Sequence, residues 1–429
     1  MNPPSTTAVR GLAPSREALP NGMTVIAKET RTTPAVTLHA VVLAGTLYDP
    51  PDEGGLAHFV SRTIDRGTAT RTADQIAEEL DSRGVTLSVS INRHAMSLVC
   101  TCLVEDFEAI LTMLADVVMR PMFPPAEVDT RRGEIITLIR QDDDNPATVA
   151  SQALMKALYG PQHPYGRPVR GTLNTIERVT GPDLQQFHAR QFIPVGASLA
   201  VVGDVVPPRA IEWVAKAFEG WTPAPLLQPD VPPIPPAQER RVHVIPMMNK
   251  AQADIAYGFT TILRSDPRYY AYWLMNNVLG QYSLGGRLGD SIRERQGMAY
   301  YTFSSLDANV IPGPLIVRAG VNPANVERAV ASIDAEVSKL ADEGPTDKEL
   351  GESKQYLVGS IPRNLETNIG IANFLQTAEF FGLGLDYDLR LPDLLRAVTR
   401  DQVHEAARLA LDPSKAAVAV AGPYAGTLR

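Results

Sequence analysis

The sequence predicts an α+β protein built from two similar domains, and three observations support this. Short segments rich in β-branched residues alternate with longer segments whose apolar residues recur at helical spacing. The same order of strands, helices, a strand pair, further helices and a closing strand recurs in the second half of the chain. Residues 221–239 separate the halves and contain seven prolines. Because proline disfavours helix and central strand, this segment is predicted to be an extended linker.

Apolar, β-branched segments predict the strands of the first half, and amphipathic segments predict its helices. We predict strands at Met23–Lys28, Val36–Leu43, Val85–Ile91, Ala95–Leu103 and Ser198–Val202. We predict helices at Gly54–Asp65, Thr72–Asp81, Glu105–Met119, Pro125–Gln141, Ala147–Leu158 and Leu184–Gln191. Thr72 is a good N-cap because its hydroxyl can accept from an amide of the first turn. Residues 1–20 are predicted to be a loosely ordered N-terminal arm, and residues 21–220 the first domain.

The second half repeats this pattern over residues 240–429, which we predict to be the second domain. We predict strands at Arg241–Ile245, Ala251–Phe259, Tyr300–Ser304, Pro314–Ala319 and Ala416–Val420. We predict helices at Tyr269–Val278, Leu288–Arg295, Val326–Leu340, Asp347–Ile361, Ile369–Phe381 and Gln402–Leu411. The two halves agree in their pattern rather than in residue identity. Each domain is therefore predicted to be a mostly antiparallel sheet packed with helices.

The composition excludes several classes of function. The 429 residues are 44% hydrophobic and carry a net charge of −8, without a basic block that would suit nucleic acid or an anionic membrane. The two cysteines, Cys100 and Cys102, are predicted to be thiols of the core. No secretory signal or apolar run of transmembrane length is visible, so we expect a cytoplasmic protein with no membrane span. A periplasmic location stays open if a leader was removed.

The first helix carries an incomplete metal-binding motif. Zinc peptidases place two histidines at i and i+4 of an H-x-x-E-H helix, with a glutamate that activates water. In this chain His58 is the first histidine, but Ser61 stands at the glutamate position and Arg62 at the second histidine. Without further context, a lone histidine on an amphipathic helix is more often a packed or surface residue than a ligand.

Short motifs along nearly the whole chain resemble the M16 peptidase family, which includes insulinase-like and mitochondrial-processing-peptidase-like proteins. The motifs follow the order of the family and are GGLAHFVSRTIDRGT at Gly54–Thr68, the turn at Gly45–Asp49, the helix and D-x-P of Glu127–Pro146, HPYG at His163–Gly166, VGD at Val202–Asp204, NVLG at Asn277–Gly280, GRL at Gly286–Leu288, and IRE…G…AY from Ile292 to Tyr300. The resemblance implies two α/β-sandwich-like domains of the LuxS/MPP-like metallohydrolase fold.

The resemblance also implies where a zinc site would lie and why it is lost. Active members bind zinc through two histidines and a more distant glutamate, which correspond to His58, Arg62 and a position near Leu138. Glu134 lies one helical turn before Leu138, so a shift in register would restore a carboxylate there. A guanidinium has no lone pair to donate and stays protonated, and Ser61 is a weak base. We therefore expect no zinc, no catalytic residue and no other cofactor on this chain.

Active members grip extended peptides along an edge strand of the first domain, often with an N-A-x-T run. Val85–Ile91 is the corresponding strand, and Leu87 and Ser88 stand where the family has Asn and Ala. This departure weakens the expectation that the first domain binds peptide in the usual way. We predict that Leu87 is a core residue.

The second domain keeps a pair of residues that in active members reaches the substrate. The resemblance assigns this role to Arg293 and Tyr300. A guanidinium can donate to peptide carbonyls, and a phenol can donate to a developing oxyanion. The alternative is that Arg293 is a surface residue paired with Asp290 and Tyr300 an ordinary strand aromatic.

Together, these features predict a subunit without a zinc site from a heterodimeric M16B-type metallopeptidase. A zinc-bearing M16 partner would supply the catalytic site, and this chain would supply Arg293, Tyr300 and half of a chamber for unfolded peptides. Two alternatives stay open, namely a non-catalytic structural or peptide-binding homologue, possibly a homodimer, and a homodimeric metallopeptidase with an unusual site.

Overall fold

The chain forms two compact units, each assembled from separate stretches of sequence. The computed structural model describes residues 11–281 and 285–428, so residues 1–10 of the predicted arm lie outside the described residues. The first unit contains the described residues up to Ile135, together with Val169–Pro229 and Ser360–Asp393. The second unit contains Ile136–Pro168, Asp230–Gly359 and the described residues from Leu394 onward. Each unit thus includes a segment from the other half of the sequence.

The sheet of the first unit has the strand order β1-β2-β6-β3-β5-β4. Its strands are β1 (Ser15–Ala18), β2 (Thr24–Glu29), β3 (Ala35–Val42), β4 (Ser88–Ile91), β5 (Met96–Leu103) and β6 (Ser198–Gly203). Only β2 and β6 run parallel to each other. β1 corrects the prediction of a loose arm for Ser15–Ala18. Its backbone pairs with β2, and Arg16 forms an ion pair with Glu379 at 2.8 Å.

In the part of the second unit that the structure describes, the sheet repeats this topology without an equivalent of β1. Its strands are β7 (Arg241–Pro246), β8 (Ala253–Thr260), β9 (Ala299–Leu306), β10 (Pro314–Val321) and β11 (Ala417–Gly422). The order is β7-β11-β8-β10-β9, with β7 and β11 parallel and the other pairs antiparallel. By position, β9 therefore corresponds to β4, since each is the edge strand beyond an antiparallel neighbour.

Helices surround both sheets. In the first half they are α1 (Leu56–Thr63), α2 (Ala73–Asp81), α3 (Phe107–Met119), α4 (Pro125–Asp143), α5 (Pro146–Tyr159), α6 (Leu173–Arg178), α7 (Gly181–Gln191) and α8 (Pro207–Ala217). In the second half they are α9 (Tyr269–Asn276), α10 (Val326–Glu343), α11 (Asp347–Asn364), α12 (Asn368–Phe380), α13 (Tyr387–Ala397) and α14 (Arg400–Ala410). The sequence pattern missed α6, α8 and α13, because α6 is one and a half turns long, α8 begins with two prolines, and α13 contains Pro392.

A helix from the second half of the sequence covers the sheet of the first unit. Ile371 and Leu375 of α12 are buried against Ile26 of β2 and Ala200 of β6. The small side chain of Ala200 allows the helix to approach the sheet closely. Burial of each large aliphatic side chain contributes about 1.5 to 3 kcal/mol to folding.

A buried glutamine fixes the register of α12 on this sheet. Gln376 donates through Nε2 to the carbonyl oxygen of His39 at 2.5 Å and accepts from Ser198 Oγ at 2.6 Å. Its side chain is almost fully buried, so these partners satisfy groups that would otherwise be costly to desolvate.

A helix from the first half covers the sheet of the second unit in the same way. Leu154 and Leu158 of α5 are buried against Ala256 of β8 and Ala419 of β11. Gly258 lies at the same contact, where an added Cβ would come within 3.3 Å of Leu154 Cδ2 and 2.6 Å of a backbone oxygen. The small residues of the sheet therefore make room for the helix.

The α+β fold with two helix-packed sheets confirms the fold class predicted from the sequence. Residues 221–239 contain no helix or strand, as the prolines predict. Leu87 is half-buried and lies before β4, so it is not the core residue predicted; the core position is Val85. Among the described residues, no helix is long and apolar enough to cross a membrane.

Candidate functional site

The chain approaches α1 through a glycine pair and a carboxylate. Asp49 accepts hydrogen bonds from the backbone amides of Gly55 and Ala57 at 2.8 and 2.7 Å, which satisfies the first turn of the helix. Gly55 has φ +92°, and a Cβ at this position would lie 2.5 Å from the carbonyl oxygen of Arg170. Only glycine fits here, which explains the second glycine of the motif in structural terms.

His58 and Ser61 are buried on α1 and do not form a catalytic pair. Ser61 Oγ donates to the carbonyl oxygen of His58 at 2.7 Å, so its hydroxyl is used within the helix. His58 Nδ1 is buried without a hydrogen-bond partner. Burial, and to a smaller extent the positive charges of Arg170 and Arg62, together lower the pKa of His58 to about 4. The imidazole is therefore neutral near pH 7, in electropositive surroundings.

Arg62 forms an ion pair with α4. Its Nη2 lies 3.3 Å from Glu134 Oε2, and Glu134 Oε1 accepts from Arg131 at 2.5 Å. Burial acts to raise the pKa of Glu134, but Arg131 and then Arg62 outweigh it and hold the pKa below its ordinary value. Glu134 is thus an ionised carboxylate whose two oxygens are both engaged by guanidinium groups.

The residues at the predicted zinc position do not fit a zinc ion. His58 offers one nitrogen ligand, Arg62 is a fixed cation without a lone pair, and Leu138 is apolar. Glu134, the candidate for a restored third ligand, is occupied by Arg62 and Arg131. Within residues 11–281 and 285–428, no group of three His, Cys, Asp or Glu side chains is placed to hold a metal ion.

Arg293 lies on a π-helical segment of the second unit, Gly289–Arg295. π-helical turns are rare and occur often at functional sites. Arg293 is partly exposed and lies 3.9 Å from Glu294, which is a long contact for an ion pair. The alternative pairing of Arg293 with Asp290 is not found, because Asp290 binds Arg295 at 2.9 Å. The Arg293 guanidinium therefore keeps most of its donors available.

Tyr300 is the extra residue of a β-bulge at the start of β9. In the ladder with β10, Tyr301 is opposite Gly320 and Ala299 is opposite Val321, so Tyr300 has no partner. Bulges re-aim side chains and occur often beside active sites. Tyr300 is 62% exposed, which is unusual for a large aromatic residue on a strand. Tyr300 thus lies outside the regular ladder with its side chain exposed.

The bulge is anchored by residues that the sequence analysis did not identify. The hydroxyl of Tyr301 donates to Asp254 of β8, which also accepts from Gln252 Nε2 at 3.1 Å. Gly320 leaves space for the Tyr301 ring, since a Cβ there would lie 2.5 Å from the ring. A signal for this anchor exists in the sequence, because Asp254 is a charged residue within an otherwise apolar strand.

Gly297 fixes the connection between Arg293 and Tyr300. It adopts φ +60°, and its amide donates to the carbonyl oxygen of Arg293 at 3.0 Å. The next amide, that of Met298, donates to the carbonyl oxygen of Ile292 at 3.0 Å. The helical segment therefore ends in a hydrogen-bonded turn that leads directly into β9. Arg293 and Tyr300 thus lie on the two sides of one short, ordered connection.

The chain matches two models of one peptidase family, and these matches cover most of its length. Residues 24–173 match the model described as insulinase, peptidase family M16, and residues 178–357 match the model described as the peptidase M16 inactive domain. The order of the two matches agrees with the order of the motifs in the sequence. The chain belongs to the M16 peptidase family.

Relatives and solved structures agree with this assignment. A Mycobacterium leprae protein named an uncharacterized zinc protease is 28% identical over 97% of this chain and 94% of its own length. A Pseudomonas fluorescens structure described as a peptidase M16 inactive domain is 25% identical, with a TM-score of 0.89 over 97% of this chain and 99% of that chain. A Helicobacter pylori protease structure shares the fold with a TM-score of 0.89 at 17% identity, over 96% of this chain and 100% of that chain.

Proposed function

We propose that this chain is the subunit without a zinc site of a heterodimeric M16B-type metallopeptidase. A zinc-bearing M16 partner would carry the catalytic residues and the metal. This chain would contribute Arg293, Tyr300 and half of the chamber that encloses an unfolded peptide. The proposal depends on a contrast between two sites on this chain. At the metal position, Arg62 forms an ion pair with Glu134. In the second unit, a β-bulge holds Tyr300 exposed.

The chemistry of the exposed pair suits a peptide substrate. A guanidinium has five N–H donors, which can bind the carbonyl oxygens of an extended peptide. The phenol of Tyr300 can donate a hydrogen bond to an oxygen that gains negative charge during hydrolysis. In this proposal neither residue activates the attacking water. The pair therefore binds and positions substrate, and the hydrolytic chemistry belongs to the partner.

The experiment is to co-express this chain with an M16 homologue that has an intact H-x-x-E-H motif and to assay cleavage of a fluorogenic peptide. We expect the pair to cleave and each subunit alone to be inactive or nearly so. Replacing both Arg293→Ala and Tyr300→Phe should reduce kcat/KM of the pair by about 100-fold or more, because loss of one oxyanion donor alone typically costs that much. Full activity of the pair with both replacements would refute the proposed role.

A matched control uses a residue of the same type on the same element. Arg295→Ala removes an exposed guanidinium from the same π-helical segment. Arg295→Ala should leave kcat/KM within about twofold, as expected for a surface change away from the site. Co-purification of each variant with the partner confirms that a loss of activity does not come from lost assembly.

The second candidate is a non-catalytic structural or peptide-binding M16 homologue. The lost metal position favours it, because a scaffold needs neither zinc nor a general base. The two candidates differ in one observation. If the chain co-purifies from its host with an M16 protein that has an intact H-x-x-E-H motif, the peptidase subunit is supported, and if it co-purifies only with itself, the scaffold is supported.

A further inference from the structure

Arg318 is the only charged residue of β10, an interior strand that lies between β8 and β9 in the second sheet. The other residues of β10 are uncharged and buried, whereas Arg318 is half-buried. Its Nε is buried without a hydrogen-bond partner, and among the described residues no carboxylate lies within ion-pair distance of its guanidinium. This is an unusual state for a cation, because charged groups removed from water are normally paired.

Two other half-buried arginines of the same unit do have counter-charges. Arg240 pairs with Asp334 at 2.8 Å, and Arg287 pairs with Glu349 at 2.7 Å. Both guanidiniums therefore hold elements of the fold together. Arg318 does not follow this pattern, so its counter-charge is expected to come from a ligand.

The surroundings of Arg318 are partly open on one side. Phe303 of β9 lies opposite Arg318 in the ladder, and Tyr301 is two residues away on the same face. Both rings are half-buried, with their centroids 6.0 Å apart. On the other side, Ala256 of β8 lies opposite Arg318 and is buried in the contact with α5. Arg318 thus lies at the border between a part of the sheet that a helix covers and a part where two aromatic rings stay accessible.

An acidic residue on the same face is already engaged by other groups. Asp254 of β8 lies opposite Gly320, and it accepts from the hydroxyl of Tyr301 and from Gln252 Nε2 at 3.1 Å. Burial and the hydrogen bond to Asp254 raise the pKa of Tyr301, and the positive charge of Arg318 acts against them. The guanidinium is therefore close to the phenol, but Asp254 holds Tyr301 rather than pairing with Arg318.

We propose that Arg318 binds a carboxylate of a peptide ligand, while the rings of Tyr301 and Phe303 pack against apolar side chains of the same peptide. This inference rests on the proposed function, which it deepens by naming a peptide with an accessible carboxylate as the substrate class. A guanidinium binds a carboxylate through two parallel N–H donors, which supplies the missing counter-charge. The carboxylate belongs either to an acidic side chain or to the C-terminus of the peptide.

A carboxylate is favoured over a phosphate as the bound group. Arg318 is a single cation and can neutralise one negative charge. A phosphate monoester carries about 1.5 to 2 negative charges at pH 7. The carboxylate of Asp254 on the same face would repel the excess charge. A singly charged group on an apolar body matches both the guanidinium and the rings.

The test uses this chain alone and three labelled nine-residue peptides with one frame, in which Leu flanks the central residue and Thr and Gly follow outward. The first peptide has a central Glu and blocked ends, the second has a central Gln and blocked ends, and the third has a central Gln and a free C-terminal carboxylate. We expect the first or the third to bind at least about tenfold more tightly than the second, as hydrogen bonds to charged groups allow.

The pattern of affinities identifies the source of the carboxylate. Tighter binding of the first peptide assigns the site to an acidic side chain, and tighter binding of the third assigns it to a C-terminus. Equal affinity of the three peptides, or no binding of any of them, would overturn the proposal.

A pair of variants locates the bound carboxylate. Arg318→Met removes the charge and keeps much of the length of the side chain. Arg328→Met is the matched control, because it removes an exposed guanidinium from α10 of the same unit. We expect Arg318→Met to abolish the preference and Arg328→Met to keep it within about twofold, as for a surface change away from the site. A preference that survives Arg318→Met, or that is lost in both variants, would overturn the proposal.

Urea denaturation distinguishes a ligand-binding role from a structural one. Replacing an unpaired, half-buried cation by an apolar residue of similar size should leave the urea midpoint unchanged or raise it. Arg240→Met is the comparison, since it leaves Asp334 without its partner and should lower the midpoint. A fall in the midpoint for Arg318→Met would assign Arg318 to the support of the fold and overturn the proposal.

Failure of this inference and failure of the proposed function give different results. The peptide preference is measured on the chain alone, whereas the proposed function is measured as cleavage by the assembled pair. Cleavage by the pair without a preference that depends on Arg318 would refute only the inference. A preference that depends on Arg318, without activation of any M16 partner, would refute only the proposed function.

Discussion

Arg62 Nη2 lies 3.3 Å from Glu134 Oε2, and this ion pair joins α1 to α4 at the position where active M16 peptidases are expected to hold zinc. In the function proposed above, the Arg62 guanidinium stands at a metal-ligand position, and its partner is the Glu134 carboxylate. A permanent cation at this position repels a dication, and the carboxylate is no longer free to ligate. The helix that carries His58 therefore presents a fixed cation beside α4.

We expect the Arg62–Glu134 ion pair to contribute little to stability. Both side chains are about two-fifths exposed, and exposed pairs are worth about 0.2 to 1 kcal/mol. Arg62→Ala should lower the free energy of unfolding by less than about 1 kcal/mol, measured by urea denaturation. Arg131→Ala is the comparison, because Arg131 is more buried and pairs with both Glu127 and Glu134. A larger loss of unfolding free energy for Arg62→Ala than for Arg131→Ala would contradict the prediction that the Arg62–Glu134 pair contributes little to stability.

We expect Gln376 to be a major contact of α12. Gln376→Leu removes the donor to His39 and the acceptor of Ser198 and leaves both partners buried, which costs about 1 to 3 kcal/mol. The measurement is the free energy of unfolding from urea denaturation. Thr377→Ala is the control, since Thr377 is the exposed neighbour on the same helix, and it should change the value by less than about 0.5 kcal/mol. Equal effects would show that Gln376 does not hold the helix.

We expect the protein to lose stability as the pH falls from about 6.5 towards 4. Burial lowers the pKa of His39 and of His188 to about 4, against partial opposition from Asn373 and from the Val118 carbonyl, respectively. In this pH window the histidines are protonated in the unfolded chain but stay neutral in the folded chain. The stability of the folded state is therefore fully present above the histidine pKa of the unfolded chain and declines as the pH falls below it. Each histidine should contribute on the order of 1 to 2 kcal/mol of loss between pH 7 and 5.

Urea denaturation at pH 7 and pH 5 measures this dependence. His188→Gln should reduce the difference between the two pH values, because it removes one buried titrating group. His243→Gln serves as the control, since His243 is exposed on β7 and its replacement should leave the difference unchanged. A protein that is equally stable at both pH values would refute the prediction.

We expect Tyr301, which anchors the β-bulge, to contribute more to the free energy of unfolding than Tyr300, which the bulge exposes. Tyr301→Phe removes a donor from the buried Asp254 and should cost about 1 to 3 kcal/mol. Tyr300→Phe changes an exposed hydroxyl and should stay within about 0.5 kcal/mol of the parent. Thermal unfolding of the two variants provides the comparison. A greater loss of stability for Tyr300→Phe would mean that Tyr300 is a structural residue.

The sequence predicted elements whose periodicity is strong and could not predict contacts between distant segments. The apolar, β-branched composition of β3, the apolar alternation of β5 and the capped helix after Thr72 follow local rules. The predicted positions of these elements therefore agree with the structure to within a few residues. Each sheet is covered by a helix from the other half of the sequence, and this contact depends on tertiary packing. The small residues Ala200 and Gly258 lie at these contacts, but nothing in the local sequence indicates that a helix packs on them.

For a similar reason, the sequence predicted some residues of the candidate site but not the contacts between them. The motif and the resemblance place a ligand position at Arg62, and a guanidinium cannot act as that ligand. The pairing of Arg62 with Glu134 depends on the distance between two helices, which the sequence does not give. Tyr300 came from a resemblance, whereas the bulge that exposes it depends on the register between β9 and β10. The anchor between Tyr301 and Asp254 spans 47 positions of sequence and was not predicted.

The decisive measurement is the zinc content of the purified chain after incubation with excess zinc and removal of unbound metal. We expect less than about a tenth of a zinc ion per chain, since one histidine beside a guanidinium is not a zinc site. The variant with Ser61→Glu, Arg62→His and Leu138→Glu is the positive comparison, because it restores the expected ligands and should bind zinc more tightly than the parent. One zinc ion per parent chain, lost on His58→Ala, would contradict the assignment of this chain as a subunit without a metal site.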